Sequence, residues 1–375
     1  MTTETAFIMD TSQIKFGFGA THEVGHDMYA LGGKRVMVLT DPNLSNSEPV
    51  SITLTALSNV GIDAILFDQV RVEPTDVSFK QAIDFAVDGN FDGYVAVGGG
   101  SCMDTAKAAN LYATYPADFL TYVNSPIGQG EPVPGQLQPS IAIPTTAGTG
   151  SETTGVAIFD LLEMHVKTGI AHRSLRPSMG IVDPDNTRTL PKIVSACCGL
   201  DVLSHALESL TALSFDKRPA PKSPKYRPAY QGSNPISNLW ASRAIEMVSK
   251  NLVRAVECPS DDEARAQMLL ASTFAGIGFG NAGVHLPHGM SYPVAGMVRD
   301  YIPDGFPSPH PIVPHGMSVI LNAPAVFRFT ASTNPKLHLY AAELMGADIS
   351  GADPDDAGKI LANAIIKLMQ KTGIP

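Results

Sequence analysis

Cysteine is scarce in this chain and is not arranged as a framework. There are four cysteines in 375 residues; Cys197 and Cys198 are adjacent, Cys102 and Cys258 stand alone, and no CxxC occurs. Reduced thiols in an intracellular compartment are therefore expected. Basic charge is also short, with 26 Lys and Arg against 36 Asp and Glu, for a formal net charge of -10. Nucleic acid and anionic membranes both require a basic face, so neither is expected as a partner. No apolar run reaches the roughly 20 residues that span a bilayer. The opening MTTETAFIMD has neither a signal-peptide core nor an Arg-rich transit pattern. A cytoplasmic protein is expected, or a mitochondrial-matrix one if the source is a eukaryote that has removed a presequence. What is present is ordinary: 44% hydrophobic and 17% charged residues, in a chain long enough for two domains.

Short apolar runs alternate with helical patterns through the first half. Arg35–Thr40, Ala64–Phe67 and Gly93–Val97 read as buried strands bounded by turn residues. Val50–Val60 and Ser78–Asp88 are helix-length segments between them. Such alternation predicts βαβ units and a parallel sheet. After about residue 190 strand signals fade, and Ile193–Leu213, Asn238–Val256, Asp261–Ile277 and Asp355–Gln370 carry helical periodicity. The predicted architecture is an α/β, Rossmann-like dinucleotide-binding domain over 1–190, followed by an all-α domain over 191–375. Phe215–Ser233, rich in Pro, Lys and Arg, reads as a long loop.

Two glycine-rich stretches suit a nucleotide. Tyr94–Lys107, YVAVGGGSCMDTAK, is a strand, three glycines and a helix. The glycines permit a tight turn, and the helix start offers bare N–H groups to a pyrophosphate. Ser101 and Asp104 have capping-box spacing, which places that helix start at Ser101. The plain alternative is a tight βα turn. Ile141–Glu152, IAIPTTAGTGSE, gathers small donors into a second loop. Asp41, closing VMVLTD, can accept from an adenine-ribose hydroxyl and would repel a 2′-phosphate, which favours NAD over NADP. A turn residue before Pro42 is the plain alternative there.

In Gly199–Glu208, GLDVLSHALE, Asp201 and His205 lie four apart on one helix face among apolar neighbours. A buried carboxylate and imidazole must satisfy each other or a cation. Further ligands are available at His285 or His288, and at His310 or His315. One Asp with three His suits Fe²⁺ or Zn²⁺. Bound to such an ion, an alcohol's pKa can fall as that of water does, from 15.7 to about 7, worth up to roughly 12 kcal/mol. Deprotonation on that scale needs no side-chain base.

GGGSxxD, PTTAGTGSE, a helical DxxxH and the late VPHGMSV together resemble the iron-dependent (group III) alcohol dehydrogenases, over essentially the whole chain. The stretches VRVEPTD, TGSETTGVAIFD, RPAYQGSNPIS and FAGIGFGNAGVHLPHGMSYP are similar to the members that move hydride from a hydroxy acid to an oxo acid. The resemblance implies the fold shared with dehydroquinate synthase, bound NAD(H), Fe²⁺ or alternatively Zn²⁺, small-molecule substrates and a homodimer. It implies metal ligands at Asp201, His205, His288 and His315. It implies pyrophosphate contacts at Gly99, Gly100, Ser101 and Asp104, loop contacts at Thr145, Thr146 and Thr149, and Lys167 near the nicotinamide ribose. Tyr292 stands where many members carry the second histidine of HxxxH, so Tyr292 or His285, one helical turn before His288, is the substrate-side catalytic candidate. Members continue beyond Lys371–Pro375 into further helices, so a shortened C-terminal end is expected.

The implied reaction oxidises 4-hydroxybutyrate to succinate semialdehyde and reduces 2-oxoglutarate to 2-hydroxyglutarate through the same NAD. An ordinary iron-containing dehydrogenase using free NAD on a small alcohol or aldehyde is the alternative. A lyase related to dehydroquinate synthase and a non-catalytic sensor are weaker ones. Arg173, Arg299, Lys225 and Arg227 are the cations considered for a substrate carboxylate.

Overall fold

A computed structural model describes residues 2–308 and 310–375, with the side chain of Lys225 outside the description. The chain forms two compact units. The α/β unit comprises Asp10–Thr146 and Ser151–Thr187. Its strands are β1 (Gln13–Phe16), β2 (Arg35–Leu39), β3 (Asp63–Phe67), β4 (Gly93–Gly98), β5 (Ser140–Pro144), β6 (Val156–Leu161), β7 (Val166–Ala171) and β8 (Met179–Val182). Six of them form a parallel sheet in the order β1-β8-β5-β4-β2-β3, while β6 and β7 pair separately as an antiparallel hairpin.

Every residue of β4 is buried, as a strand covered on both faces requires. Side chains alternate between two cores. Val36, Val38, Val95 and Val97 pack with Val24 and Met28 of α1 (Val24–Ala30) and with Val50 and Leu57 of α2 (Glu48–Asn59). Met37, Leu39, Tyr94 and Ala96 face the other way, onto Ala82 and Ala86 of α3 (Asp76–Gly89) and Met103, Ala106 and Ala109 of α4 (Gly100–Thr114). The chain moves outward from β2 to β3 and then returns to β4 on the other side of β2. The carboxyl ends of β2 and β4 therefore lie side by side, Leu39 opposite Ala96, at a point where strand order reverses. Ligands of open α/β sheets settle at such points.

Two local features depart from expectation. The starting box belongs to α3, where Thr75 and Ser78 exchange backbone-to-hydroxyl bonds of 2.9 and 3.2 Å. Ser101 and Asp104 form no such box: α4 begins at Gly100 on Gly99, with no side-chain cap. Both Asp104 oxygens are already engaged, by the Ser151 hydroxyl at 2.7 Å and the Ile158 N–H at 2.9 Å. The hairpin that supplies Ile158 is the second departure, because the sequence reading assigned no strands to 156–171.

The helical unit comprises Met1–Met9, Ala147–Gly150 and Arg188–Pro375. Its helices are α5 (Lys192–Thr211), α6 (Pro235–Glu257), α7 (Asp262–Ala282), α8 (Leu286–Gly296), α9 (His315–Ile320), α10 (Ala323–Thr330), α11 (Pro335–Leu344) and α12 (Ala357–Thr372). From Gly199 to Leu210 every residue of α5 is buried. By length and mean hydropathy, 1.3, α5 is apolar enough to cross a bilayer, yet it lies mostly inside the protein as the unit's core helix. Asn234 caps α6 and Asp261 caps α7 through their side-chain oxygens. Phe215–Ser233 is the expected loop, with short turns at 215–217 and 224–226 and isolated bridges from Pro219 to Thr3 and from Ser233 to Ser214.

The contact of α1 with α2 depends on a missing side chain. A Cβ at Gly25 would meet the Ala56 carbonyl oxygen at 2.0 Å. Gly25→Ala is expected to lower stability by about 1–3 kcal/mol, read as a lower urea midpoint with an unchanged slope.

Candidate active site

Asp201 and His205 project from one face of α5, His288 from the first turn of α8, and His315 opens α9. One ligand atom from each of these four lies within 4.8 Å of the others. His288 Nε2 and His315 Nε2 are 3.6 and 3.8 Å from Asp201 Oδ1, and His205 Nδ1 is 3.9 Å from Asp201 Oδ2. These separations are too long for hydrogen bonds. Asp201 Oδ1, His205 Nδ1 and His288 Nε2 are accordingly buried with no hydrogen-bond partner among the described residues. Three orphaned atoms converging on one point are costly unless a cation satisfies them. One carboxylate oxygen and three imidazole nitrogens fit Fe²⁺ or Zn²⁺.

Packing fixes these rings. His205 stacks between Phe279, at 4.0 Å between centroids, and His288, at 4.5 Å. A Cβ at Gly316 would strike the Cys197 carbonyl oxygen at 2.1 Å and Asp201 Cβ at 2.8 Å. Only glycine allows α9 to lie this close to α5, and His315 is the adjacent residue. Electrostatics follow from burial and mutual charge. Burial pushes the His205 imidazole down to about 4. Burial also disfavours charge on His288, but the carboxylates of Glu208 and Asp201 outweigh it and hold that ring up at about 10. The Asp201 carboxyl lies well below its usual range: burial works against the carboxylate, yet the imidazoles of His205, His315 and His288 prevail.

Of the alternatives the sequence left open, His288 and His315 join this group, whereas His310 is exposed and His285 lies outside it. His285 is the residue just before α8, not part of its first turn. Its Nε2 is 2.9 Å from the Thr211 hydroxyl, which donates to the Leu207 carbonyl at 2.7 Å. That hydroxyl can only accept from His285, so Nε2 carries the proton and Nδ1 keeps its lone pair. Burial pushes this imidazole down. Tyr292 is half-buried on α8, one turn after His288.

Sequence reading missed Glu208. It is fully buried on α5, with Oε1 2.5 Å from His288 Nδ1 and Oε2 accepting the His285 N–H at 2.6 Å. The available signal was its spacing, because Asp201, His205 and Glu208 fall at i, i+4 and i+7 on one helical face.

In the α/β unit, Gly98, Gly99, Gly100 and Ser101 form the turn from β4 into α4. Gly98 has φ +154°, and a Cβ there would meet Cys102 Sγ at 2.4 Å. Thr145 lies beside this turn, its N–H donating to the Gly98 carbonyl at 3.1 Å, and a Cβ on Gly99 would come 3.4 Å from Thr146 Oγ1. Thr149 belongs to the short segment assigned to the helical unit. Asp41 is buried after β2; its Oδ1 accepts the Asn43 N–H at 2.9 Å and its Oδ2 is 3.8 Å from Cys102 Sγ. Lys107, which sequence reading passed over, is buried and bonds Ser151 Oγ at 2.5 Å and the Val156 carbonyl at 2.9 Å. Lys167 lies on the hairpin, 2.7 Å from Glu73 and 3.0 Å from Asp160. Among the other cations considered, Arg173 pairs with Asp10, Arg227 pairs with Glu4, and Arg299 is exposed. The Lys225 side chain lies outside the described residues.

A parallel sheet with a glycine turn at its switch point, and a helical unit with a four-ligand group, define the architecture of a metal-dependent dehydrogenase. Comparison with known proteins agrees. Residues 11–184 match the family described as iron-containing alcohol dehydrogenase, and residues 229–375 match the C-terminal part of the Fe-containing alcohol dehydrogenase family. The chain is 57% identical over 370 residues to the mitochondrial hydroxyacid-oxoacid transhydrogenase of Rattus norvegicus, covering 98% of this chain and 79% of that protein. Its structure is similar to that of a 1,3-propanediol oxidoreductase, with TM-score 0.85, 30% identity, and coverage of 99% of this chain and 88% of the other. A sulfoacetaldehyde reductase from Bifidobacterium kashiwanohense, in complex with NAD⁺, aligns with TM-score 0.79 and 25% identity, over 99% of this chain and 87% of that one. The chain belongs to the iron-containing alcohol dehydrogenase family and is a metal-dependent oxidoreductase.

The Gly316 contact gives a direct check on the geometry. Gly316→Ala is expected to destabilise the protein by about 1–3 kcal/mol and, by displacing His315 from Asp201, to reduce the iron or zinc bound per chain. Metal analysis of the purified variant beside the parent reads both effects together with a melting curve.

Proposed function

We propose that this chain is a hydroxyacid-oxoacid transhydrogenase: it passes hydride from a hydroxy acid such as 4-hydroxybutyrate to an oxo acid such as 2-oxoglutarate through one retained NAD. The convergence of Asp201, His205, His288 and His315, three of them with a buried atom that has no hydrogen-bond partner among the described residues, is the observation that carries the metal chemistry. Identity of 57% to a protein named for this reaction supports the substrate class, and that protein's mitochondrial name supports a matrix location.

The four side chains would hold Fe²⁺, or Zn²⁺, which would supply polarisation of the alcohol or carbonyl oxygen, and NAD would supply the hydride acceptor and donor. The protein's own contribution is placement. Gly99, Gly100 and Ser101 offer uncapped amides at the start of α4 to the pyrophosphate, and the dipole of that helix favours the negative charge. Asp104 supports this loop from below through Ser151 and Ile158. The Thr145 and Thr146 hydroxyls beside the glycine turn supply further donors for the cofactor. Asp41, at the end of β2, accepts from the adenine ribose and disfavours a 2′-phosphate. Lys167 is held by Glu73 and Asp160 near the nicotinamide ribose.

His285, kept neutral by burial and with its Nδ1 lone pair spared by the Thr211 bond, accepts a hydrogen bond from the substrate side. Tyr292 takes the place of the second histidine of HxxxH and contributes a hydroxyl on the substrate side.

The decisive experiment uses the metal-loaded protein with 4-hydroxybutyrate and 2-oxoglutarate and no added NAD. Formation of 2-hydroxyglutarate is expected. Turnover that instead requires free NAD would identify an ordinary iron-containing alcohol dehydrogenase. Replacing a ligand tests the centre itself: His205→Ala and His288→Ala are each expected to lower bound metal at least tenfold and to abolish turnover. Full metal content in both would overturn the four-ligand assignment.

A further inference from the structure

We propose that Glu208 is the positioning residue of the metal centre: it sets which ring nitrogen of His288 faces the ion and pins the start of α8. The inference rests on the metal reading above and goes beyond its four ligands. The side chain has no solvent exposure, so its carboxylate must be justified by what it holds. Its Oε1 is 2.5 Å from His288 Nδ1. An ionised carboxylate only accepts, so Nδ1 keeps its proton, and the nitrogen left to lose its proton to an ion is Nε2, which faces Asp201 3.6 Å away. The opposite tautomer would turn an N–H towards that point and cancel a ligand. Hydrogen bonds of this kind behind a metal-bound histidine fix both tautomer and ring plane.

The second oxygen acts on the backbone. Helix α8 receives no side-chain cap from its own first residue. Glu208 Oε2 takes the N–H of His285 at 2.6 Å and approaches that of His288 at 3.5 Å. A negative charge at these uncapped amides is favoured by the helix dipole as well. One carboxylate thus fixes the position of a ligand through the helix that carries it, and its rotation through its ring. Because Glu208 lies on the same helical face as Asp201 and His205, α5 alone supplies two ligands and the support of a third.

Glu208→Gln separates this role from simple packing. The amide keeps the shape, but its single oxygen cannot accept from both His288 Nδ1 and the His285 N–H, and its NH₂ group opposes the other donor. Metal-free parent and variant are titrated with Co²⁺ and Zn²⁺ against a competing chelator, and their metal-free melting temperatures are measured alongside. The variant is expected to bind about 10- to 100-fold more weakly, with shifted visible bands in the Co²⁺ form and a metal-free melting temperature close to that of the parent. Affinity within twofold of the parent, or a loss fully mirrored by a lower metal-free melting temperature, overturns the proposal. If Glu208→Gln does not fold, Glu208→Asp, which keeps the charge but shortens the reach, is judged by the same comparison. A parent that binds no better than His205→Ala overturns the metal reading itself, a result distinct from failure at Glu208 and one that removes this proposal with it.

Discussion

The helical unit depends on one buried carboxylate. Asp201 lies in a stretch of α5 with no exposed residue, where an ionised group without compensation costs several kcal/mol. Three imidazoles surround it at 3.6–3.9 Å, close enough for their charge to count and too far to hydrogen bond. Much of the nearby packing serves that spacing. Gly316 lets α9 rest against the Cys197 carbonyl, Phe279 holds the plane of His205, and Glu208 holds that of His288. The arrangement is a set of donors kept apart by packing, a state that only a cation between them makes favourable.

The α/β unit treats its buried charge in the opposite way. Lys107 is as buried as Asp201, but its ammonium reaches Ser151, Thr154 and the Val156 carbonyl, with Asp104 at 3.5 Å. Asp183, at the end of β8, accepts from the Gly19 and Thr21 amides and the Thr21 hydroxyl. These groups are satisfied, and they join α4, the hairpin and the strand ends into a rigid base beneath the glycine turn. Buried charge alone does not distinguish a structural network from a reactive centre. Whether the charged atoms have partners does: Lys107 and Asp183 are hydrogen-bonded, whereas Asp201 Oδ1 is not.

What was legible in the sequence follows the same division. Strands β2 and β4 announced themselves because they are covered on both faces and read as continuous apolar runs, whereas β3, also read as a buried strand, is an edge strand with only Phe67 buried. Helices α6 and α12 showed their period because one face of each is exposed, whereas α5 and α7 are buried almost all round and read as helical by their length. The Asp201–His205 pair was visible as a polar couple on an apolar helix, and the resemblance then selected His288 and His315 from four histidines. Long-range partners were not legible. Ser101 and Asp104 had the spacing of a cap, but Asp104 spends its oxygens on Ser151 and Ile158, about fifty positions away. Glu208 looked like one more polar residue until α8 was seen to bring two N–H groups and a ring nitrogen to it. His285 was read as helical, yet it stops short of α8 and turns its ring to Thr211.

The engagement of Asp104 bears on how the proposed nucleotide is read. With both oxygens committed, its carboxylate is poorly placed to meet a pyrophosphate, whose charge it would in any case repel. The remaining donors of the turn are backbone amides at Gly99, Gly100 and Ser101, which any phosphate can use and which carry no information about the rest of the cofactor. In the proposed reading, discrimination between NAD and NADP would fall to Asp41, the acid at the adjoining strand end. It is buried, its Oδ1 already holds the turn through Asn43, and Oδ2 has only the weak thiol donor of Cys102 at 3.8 Å. A thiol gives up a carboxylate oxygen at little cost. In the proposed reading, Asp41 Oδ2 would exchange this weak partner for a ribose hydroxyl, and the same charge would disfavour a 2′-phosphate there.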